Sequence, residues 1–519
     1  MSLHGHASRK LESASISENE RVLLRCKAAK ELESAGEYEA AKAELGERWQ
    51  GVGQRPKVAD LSEAAKAELL LRAGTLSGWF GSSKQIDNAQ ELAKDLIFES
   101  ARTFERLGLT ERLVDSQVDL AVCYWRSGAL DEARVTLKQV LSHADQDSEP
   151  RLRALANLAL LERVAGRFNE ALEIQIQSAP LFERSSNHAL RGNFHNVYAQ
   201  VLKEIGLAEK RDDYIDRALV EYTAASFHFE QAGHLRFQGH IENNLAGLFA
   251  SIGRYSDSYD HLNRARALFE RLEDKGGLAH INETLATTLL AEGRNLEAAN
   301  AAHKAIRIFQ DGDEGSALAE ALTTEGRALS RLGRSRDALS SFQRAIKVAQ
   351  KIGDTHTEGL AALNVTEELL SILPPKEVLN YYRQAETLLP KSENSRVRLR
   401  LGECARKILA TAVSSSSSVS LEGGFVQVVG GDQDQTSESK SLTMNQPSVP
   451  CSLEEEVLRF EGDLIKQALE KAGGSVTRAA RLLGTTHQGL AFIINGRQKS
   501  LLSARKPVRP RRRSIIRYH

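Results

Sequence analysis

Residues 282–310 read NETLATTLLAEGRNLEAANAAHKAIRIFQ, and the spacing inside this stretch decides how the chain folds. Gly293 is followed five residues later by a small side chain, Ala298, and preceded seven residues earlier by another, Ala286. Ala305 stands four residues before Phe309. A glycine so placed ends a helix, because a C-terminal cap favours a left-handed backbone. The alanines fall where two helices cross closely, and Phe309 fills the groove against the next pair. Such a helical hairpin cannot bury its apolar stripe alone.

The marks recur along the chain. The glycine and its following small residue appear as Gly128/Ala133, Gly166/Ala171, Gly253/Ser258 and Gly333/Ala338. The small residue before the glycine is Ala121, Ala159, Ala246 and Gly326, and the pair ahead of the aromatic is Ser178/Phe182, Ala225/Phe229 and Ala265/Phe269. The segment LALLERVAGRFNEALEIQIQSAPLFE carries all of them in order. Between Gly81 and Ala93, and between Gly206 and Ala218, the five-residue interval grows to twelve. That implies a seven-residue insertion in the turn. A last copy reaches Ala385 and Leu389 with Leu373 in the glycine position, ahead of Pro374 and Pro375. Near the N-terminus, ELESAGEYEAAKAEL (Gly36/Ala41) reads as one more copy, out of phase. Stacked hairpins of this kind make an all-α solenoid.

These anchors resemble the tetratricopeptide repeat, in a form of about 40 residues. The resemblance implies an interaction surface, since stacked hairpins leave a concave groove. The polar candidates for that groove lie on the first helix of each pair: Asn157, Asn193, Asn196, Asn243, Asn244 and Asn282. An asparagine amide can pair with a peptide backbone as both donor and acceptor. The same side chains would also serve as helix-surface residues or as hydrogen bonds between repeats.

Charge divides the chain unequally. It holds 69 basic and 69 acidic side chains, yet residues 475–519 contain eleven Lys and Arg and no acid. Residues 1–474 therefore carry 58 basic against 69 acidic groups, a net of −11. A basic end on an acidic body points to a polyanionic partner for that end. The domain reading is N-terminal helices over 1–60, a solenoid over 61–394, and a capping helix over 395–412 with Arg396, Arg398, Arg400, Arg406 and Lys407 on its polar face. A Ser/Gly-rich flexible linker follows over 413–451, then a small helical module over 452–500 and a basic tail over 501–519.

In the module, Ser452 and Glu455 form a capping box ahead of a helix with Val457, Phe460, Leu464, Ala468 and Ala472 on one face. Gly473 and Gly474 stop it. A short helix over Thr477–Leu483 follows, Gly484 makes the turn, and Thr485 or Thr486 starts a helix running to about Asn495. The expected core is Ala479, Ala480, Leu482, Leu483, Leu490 and Ile493. The arrangement is a helix-turn-helix, and Gly474, Thr477, Ala479, Ala480, Leu483 and Gly484 make it similar to the Fis-type helix-turn-helix of bacterial nucleoid proteins and response regulators.

That resemblance implies DNA as partner. The start of the last helix would face the major groove, with Thr486, His487 and Gln488 at base edges. Arg478, Arg481, Arg497 and Lys499 would hold phosphates. The helix departs from the family in carrying Gly489, Ala491 and Phe492 where Arg or Lys is usual. Arg505, Lys506, Arg509, Arg511, Arg512, Arg513 and Arg517 form an arm suited to phosphates or a minor groove. Fis-type modules commonly pair, so a homodimer is within the implied range.

The motifs of catalysis are missing: no phosphate-cradling glycine loop, no HExxH, no GxSxG, no metal-ligand cluster. The expectation is a non-enzyme without cofactor. Cys26, Cys123, Cys404 and Cys451 lie far apart with no zinc or disulfide spacing. No run approaches the ~20 apolar residues of a membrane span, and Met1–Glu20 lacks a signal-peptide core. The reading is a cytoplasmic bacterial transcriptional regulator, nucleoid-associated when bound, whose solenoid takes a protein, peptide or small effector. The alternative is an interaction scaffold whose basic end meets RNA or an acidic partner without reading sequence.

Overall fold

The computed structural model describes residues 16–389 and 395–417, and near the C-terminus 462, 465–482, 490, 493 and 494. The chain splits into two units, Met1–Gly423 and Gly424–His519. Among the described residues every regular element is a helix.

The first unit is a run of antiparallel hairpins. They are α1 (Glu18–Ser34) with α2 (Tyr38–Leu45), α3 (Glu63–Lys84) with α4 (Ala89–Arg106), and α5 (Thr110–Arg126) with α6 (Leu130–His143). Next come α7 (Glu149–Val164) with α8 (Phe168–Arg184), α9 (His188–Glu209) with α10 (Asp212–Gln231), and α11 (Leu235–Ser251) with α12 (Tyr255–Arg271). Three more follow: α13 (Lys275–Ala291) with α14 (Asn295–Phe309), α15 (Gly315–Arg331) with α16 (Ser335–Ile352), and α17 (Thr355–Leu369) with α18 (Pro375–Leu388). Helix α19 (Ser395–Ser417) packs on α17 and α18.

The repeat marks take the roles their chemistry suggests. Gly293 adopts φ 84° and its equivalent Gly253 φ 78°, turning the chain out of α13 and α11. Ala159, Ala246, Ala286, Ala298 and Ala305 are completely buried at the crossings, and Phe229, Phe269 and Phe309 are buried with them. Contact is tight enough to exclude a methyl group: a Cβ on Gly277 would lie 2.3 Å from Phe269, and one on Gly326 2.8 Å from Phe342. The long intervals need a correction. Gly81 and Gly206 do not end their helices; α3 and α9 run on to 22 residues each, against 17 in α11, and Gln85 and Lys210 take the left-handed cap at φ 54° and 55°. Much of the extra length thus extends the first helix instead of enlarging the loop. The two glycines lie at close helix crossings, since a Cβ on Gly81 would stand 2.5 Å from Ala89.

The solenoid coils tightly enough to touch itself, each hairpin meeting the one five places further on. Gly36 lies against His234, and a Cβ on Gly276 would stand 2.2 Å from the Ser82 carbonyl oxygen. Gly128 packs on Ile352 and Gly166 on His356. The Ser395 hydroxyl donates to the Ala208 carbonyl at 3.0 Å. Asp313, in the loop before α15, accepts from the backbone N–H of Asn88 at 2.7 Å and of Gln90 at 2.8 Å. Its carboxylate caps α4 from more than two hundred residues away, where the Asn88 side chain makes no capping bond. An aromatic ladder joins the turns: Tyr38 stacks on Trp79 at 4.8 Å, Trp79 meets Phe237 edge-on at 6.1 Å, and the guanidinium groups of Arg236 and Arg126 lie 5.0 Å from the Tyr38 and 3.9 Å from the Trp79 ring centres.

In the second unit, residues 465–471 are helical, Gly473 (φ 60°) and Gly474 (φ 80°) end that segment, and α20 spans Val476–Leu482. Ile465, Ala468, Leu469 and Ala472 pack with Val476, Ala479, Ala480, Leu490 and Ile494 in one small core. Leu482 corrects the expected core, being 60% exposed, while Val476 and Ile494 occupy buried places. A seven-residue helix holding two alanines leaves its buried face undecided by spacing alone. The capping box at Ser452, Gly484 and Thr485 lie outside the described residues.

Candidate partner groove and nucleic-acid interface

Equivalent positions of successive first helices lie side by side along the inner wall of the coil. Asn196, Asn243 and Glu283 form one such row on α9, α11 and α13, and Asn193, His240, His280 and Glu320 form another reaching α15. Asn244 Nδ2 donates to Asn196 Oδ1 at 2.9 Å, and Gln200 Nε2 donates to the same oxygen at 3.0 Å. Two of the six candidate asparagines thus join into an amide cluster between repeats. Asn243 is 9% exposed, and its Oδ1 is buried without a hydrogen-bond partner among the described residues. Asn282 is spent within its own helix, donating to the Leu278 carbonyl at 2.9 Å. Asn157 borders a crevice with Val122, Trp125 and Leu160, and Asn193 is half-buried.

Charged residues share this wall and escaped the sequence reading. Towards the N-terminus they neutralise one another. Arg72, 2% exposed, pairs with Glu33 and lies 3.4 Å from Asp119. Asp115 receives Lys30 at 2.8 Å, Arg153 at 2.6 Å and Arg112 at 2.9 Å. This network ties α1, α3, α5 and α7 together. Burial drives Glu33 up to about 7 despite Arg72, and it would raise Asp115 too, but Arg153, Lys30 and Arg72 hold that carboxyl well below the usual range.

The middle of the wall is different. Burial pushes the Glu283 carboxyl up, and His280, a 3.3 Å hydrogen bond from Thr324, Lys203 and Arg327 offset only part of this. Glu320 keeps its side chain exposed, yet the protein packed around it and then the charges of Glu283 and Asp354 push its carboxyl up to about 7, against Arg163 and His280. His280 Nε2 lies 3.0 Å from Glu314 Oε2, and that bond lifts the imidazole above its ordinary value in spite of burial. His240 goes the other way, down to about 3, through burial and the neighbouring charge of His280 and Arg236. The forty-residue period was the signal for these residues: Glu283 stands where Asn243 stands one repeat earlier.

On the nucleic-acid side, Arg478 is exposed on α20. Arg481 lies on the same helix, its side chain outside the description. Thr486, His487, Gln488, Arg497, Lys499 and the arm residues Arg505, Lys506, Arg509, Arg511, Arg512, Arg513 and Arg517 all lie outside the described residues. The described core of the module, in which Leu490 and Ile494 are buried, adjoins them in sequence.

Among the described residues no group of three or more histidines, cysteines or acids is placed to hold a metal ion, and no helix is long and apolar enough to cross a membrane. Cys26, Cys123 and Cys404 are buried thiols.

Comparison with known proteins agrees with this architecture. Residues 277–351 match the family model of the tetratricopeptide repeat, and residues 457–491 that of the bacterial regulatory protein, Fis family. A search of curated proteins gives no match. Among solved structures, a Rap protein complexed with Competence and Sporulation Factor is similar at 14% identity, covering 74% of this chain and 99% of that one, with a TM-score of 0.51. Yeast Tom70 is similar at 12% identity over 80% of this chain and 88% of its own, TM-score 0.39. Aspartyl phosphate phosphatase F from Bacillus subtilis is similar at 12% identity over 76% and 96%, TM-score 0.37. At these identities the first likeness speaks for the fold alone.

Proposed function

We propose that this chain, a tetratricopeptide-repeat solenoid carrying a Fis-family helix-turn-helix segment, is a DNA-binding transcriptional regulator whose solenoid binds a protein, peptide or small effector. The observation that carries the reading is the joint presence of the two: a buried three-segment core at 465–494 inside the Fis-family match, on a chain whose body is a coil with a polar inner wall. Thr486, His487 and Gln488 approach base edges, while Arg478, Arg481, Arg497 and Lys499 grip phosphates. The arm from Arg505 to Arg517 adds sequence-independent affinity. The similar Rap protein is complexed with a factor, which supports a partner for the inner wall here. The protein acts without catalysis, in the bacterial cytoplasm, on the nucleoid when bound.

A second reading is favoured by one observation. Seven of the eleven basic residues in the acid-free terminus follow Lys499, beyond the element that could choose a sequence. In that reading the terminus grips RNA or an acidic partner and the protein is a scaffold.

Binding of the full chain to duplex DNA over a salt series separates the parts. Replacing Arg511, Arg512 and Arg513 with alanine is expected to lower the slope of log K against log salt by about 2 to 3. An unchanged slope would remove the arm from the DNA. Equal affinity for duplex DNA, RNA and heparin would favour the scaffold.

A further inference from the structure

Basic side chains recur on the second helices of the later hairpins in two sets, and only one set is neutralised. The first set stands at the helix starts. Arg254, Arg294 and Arg334 pair with Asp257, Glu297 and Asp337 at 2.8 Å, 2.5 Å and 2.8 Å. The second set lies further along. Lys304 and Arg307 on α14 and Arg344, Lys347 and Lys351 on α16 are exposed, and none of the five makes an ion pair among the described residues. Spacings of three and four residues put the members of each helix on one face. The opposite face carries Ile306, Phe309, Phe342 and Ile346 into a core that the two helices share.

No acid interrupts the set. Residues 298–310 and 338–351 contain no Asp or Glu, on a chain whose first 474 residues carry a net of −11. The acids that flank these runs are Asp311, just beyond α14, then Glu297 and Asp337, held by the first set, and Asp354, bonded by Thr357 and Ser316. The patch is also local. Six residues beyond the small anchor stand Lys304 and Arg344, where the hairpins from α3 to α10 carry Glu99, Gln139, Gln177 and Ala224. Arg264 on α12 is in register but lies 3.8 Å from Glu242.

Like charges three and four residues apart on a helix disfavour it unless an anion joins them. The surface between the cations discriminates among anionic partners. A protein partner would call for an apolar centre to its interface, yet from Ala298 to Phe309 and from Ala338 to Ile352 no large apolar side chain is exposed. Cations on a polar face suit phosphates, which are held by charge and hydrogen bonds alone.

We propose that the outward face of α14 and α16 holds the phosphate backbone of duplex DNA, as a contact separate from the helix-turn-helix and the basic arm. The proposal rests on the reading of this chain as a DNA-binding regulator, and adds to it a sequence-independent grip on the solenoid itself. Each phosphate so neutralised releases counterions, which raises affinity and salt dependence without adding readout. The patch lies on second helices, so it leaves the inner wall, built from first helices, to the solenoid's partner.

The test compares two full-length triple variants that lose the same charge. Lys304→Gln/Arg344→Gln/Lys347→Gln removes part of the free set, and Arg254→Gln/Arg294→Gln/Arg334→Gln removes the paired set. Binding to one duplex is followed by fluorescence anisotropy over a salt series, with circular dichroism and a thermal melt showing that each variant is folded. The free-set variant is expected to lose at least roughly tenfold in affinity at low salt, and to lower the slope of log K against log salt by about 2 to 3. The paired-set variant should keep the wild-type slope. Wild-type affinity and slope in the free-set variant, or equal losses in both variants, would overturn the proposal while the DNA reading stands. Failure of the wild type to bind DNA would overturn both. Loss of heparin binding by the free-set variant at an unchanged DNA slope would give the patch to another polyanion and overturn the proposal too.

Discussion

At the scale of single residues, the inner wall stores unfavourable charge that pH can reveal. Glu320 is exposed on α15, yet the surrounding protein and then Glu283 and Asp354 push its carboxyl up to about 7, opposed by Arg163 and His280. A carboxyl whose folded value exceeds its unfolded value favours the folded state in its protonated form. Its contribution is therefore fully present below about 4.3, the unfolded value, and is lost as pH rises through about 7. Glu320→Gln should raise the melting temperature at pH 8 and change it little at pH 4, as measured by thermal unfolding at both pH values. Equal melting of variant and wild type at pH 8 would mean that the carboxyl is not under pressure. The sequence displayed Glu283 and Glu320 in phase with Asn243 and His240, but a lone acid on a helix reads as a solvated face. Only the stacking of α15 on α13 in successive hairpins turns those acids into neighbours.

At the scale of elements, the hairpins were legible because their chemistry is local. A helix-ending glycine, an alanine where axes cross and a phenylalanine in the groove all act within about twenty residues of each other. The contact between successive turns of the coil was not legible. Asp313 lies in a loop, DGDEG, that reads as a surface turn, and its partner amides at Asn88 and Gln90 belong to a distant helix start. The carboxylate satisfies two N–H groups at the positive end of α4. Asp313→Ala should cost ~1 kcal/mol of stability, like the loss of an N-cap, and speed hydrogen exchange at the first turn of α4. Asp313→Asn, which keeps an acceptor, should recover part of it. Unchanged exchange at α4 in the alanine variant would mean that the turns do not bear on each other there. The seven-residue insertions were visible as a lengthened interval, but helix and loop extensions have the same count. Helix capping by Gln85 and Lys210 in the left-handed region decided it, and neither residue type announces that conformation.

For the whole molecule, the sequence divides into two parts of opposite charge, and the chain splits into two units. An acidic coil with a polar, partly unneutralised interior suits recognition of a partner, and a small basic module with a basic arm suits DNA. The module's core was largely legible from glycine and alanine spacing, Leu482 excepted. The residues proposed to choose a base sequence, Thr486, His487 and Gln488, are followed in the sequence by Gly489, Ala491 and Phe492, so few side chains there can carry readout. These few side chains should suffice for sequence-specific binding, and selection of duplexes from a random-sequence pool by the full chain and by His487→Ala/Gln488→Ala tests it. The wild type should enrich a shared sequence over successive rounds, and the variant should bind DNA while enriching none. Recovery of unrelated duplexes by the wild type, or of the same sequence by both proteins, would contradict it.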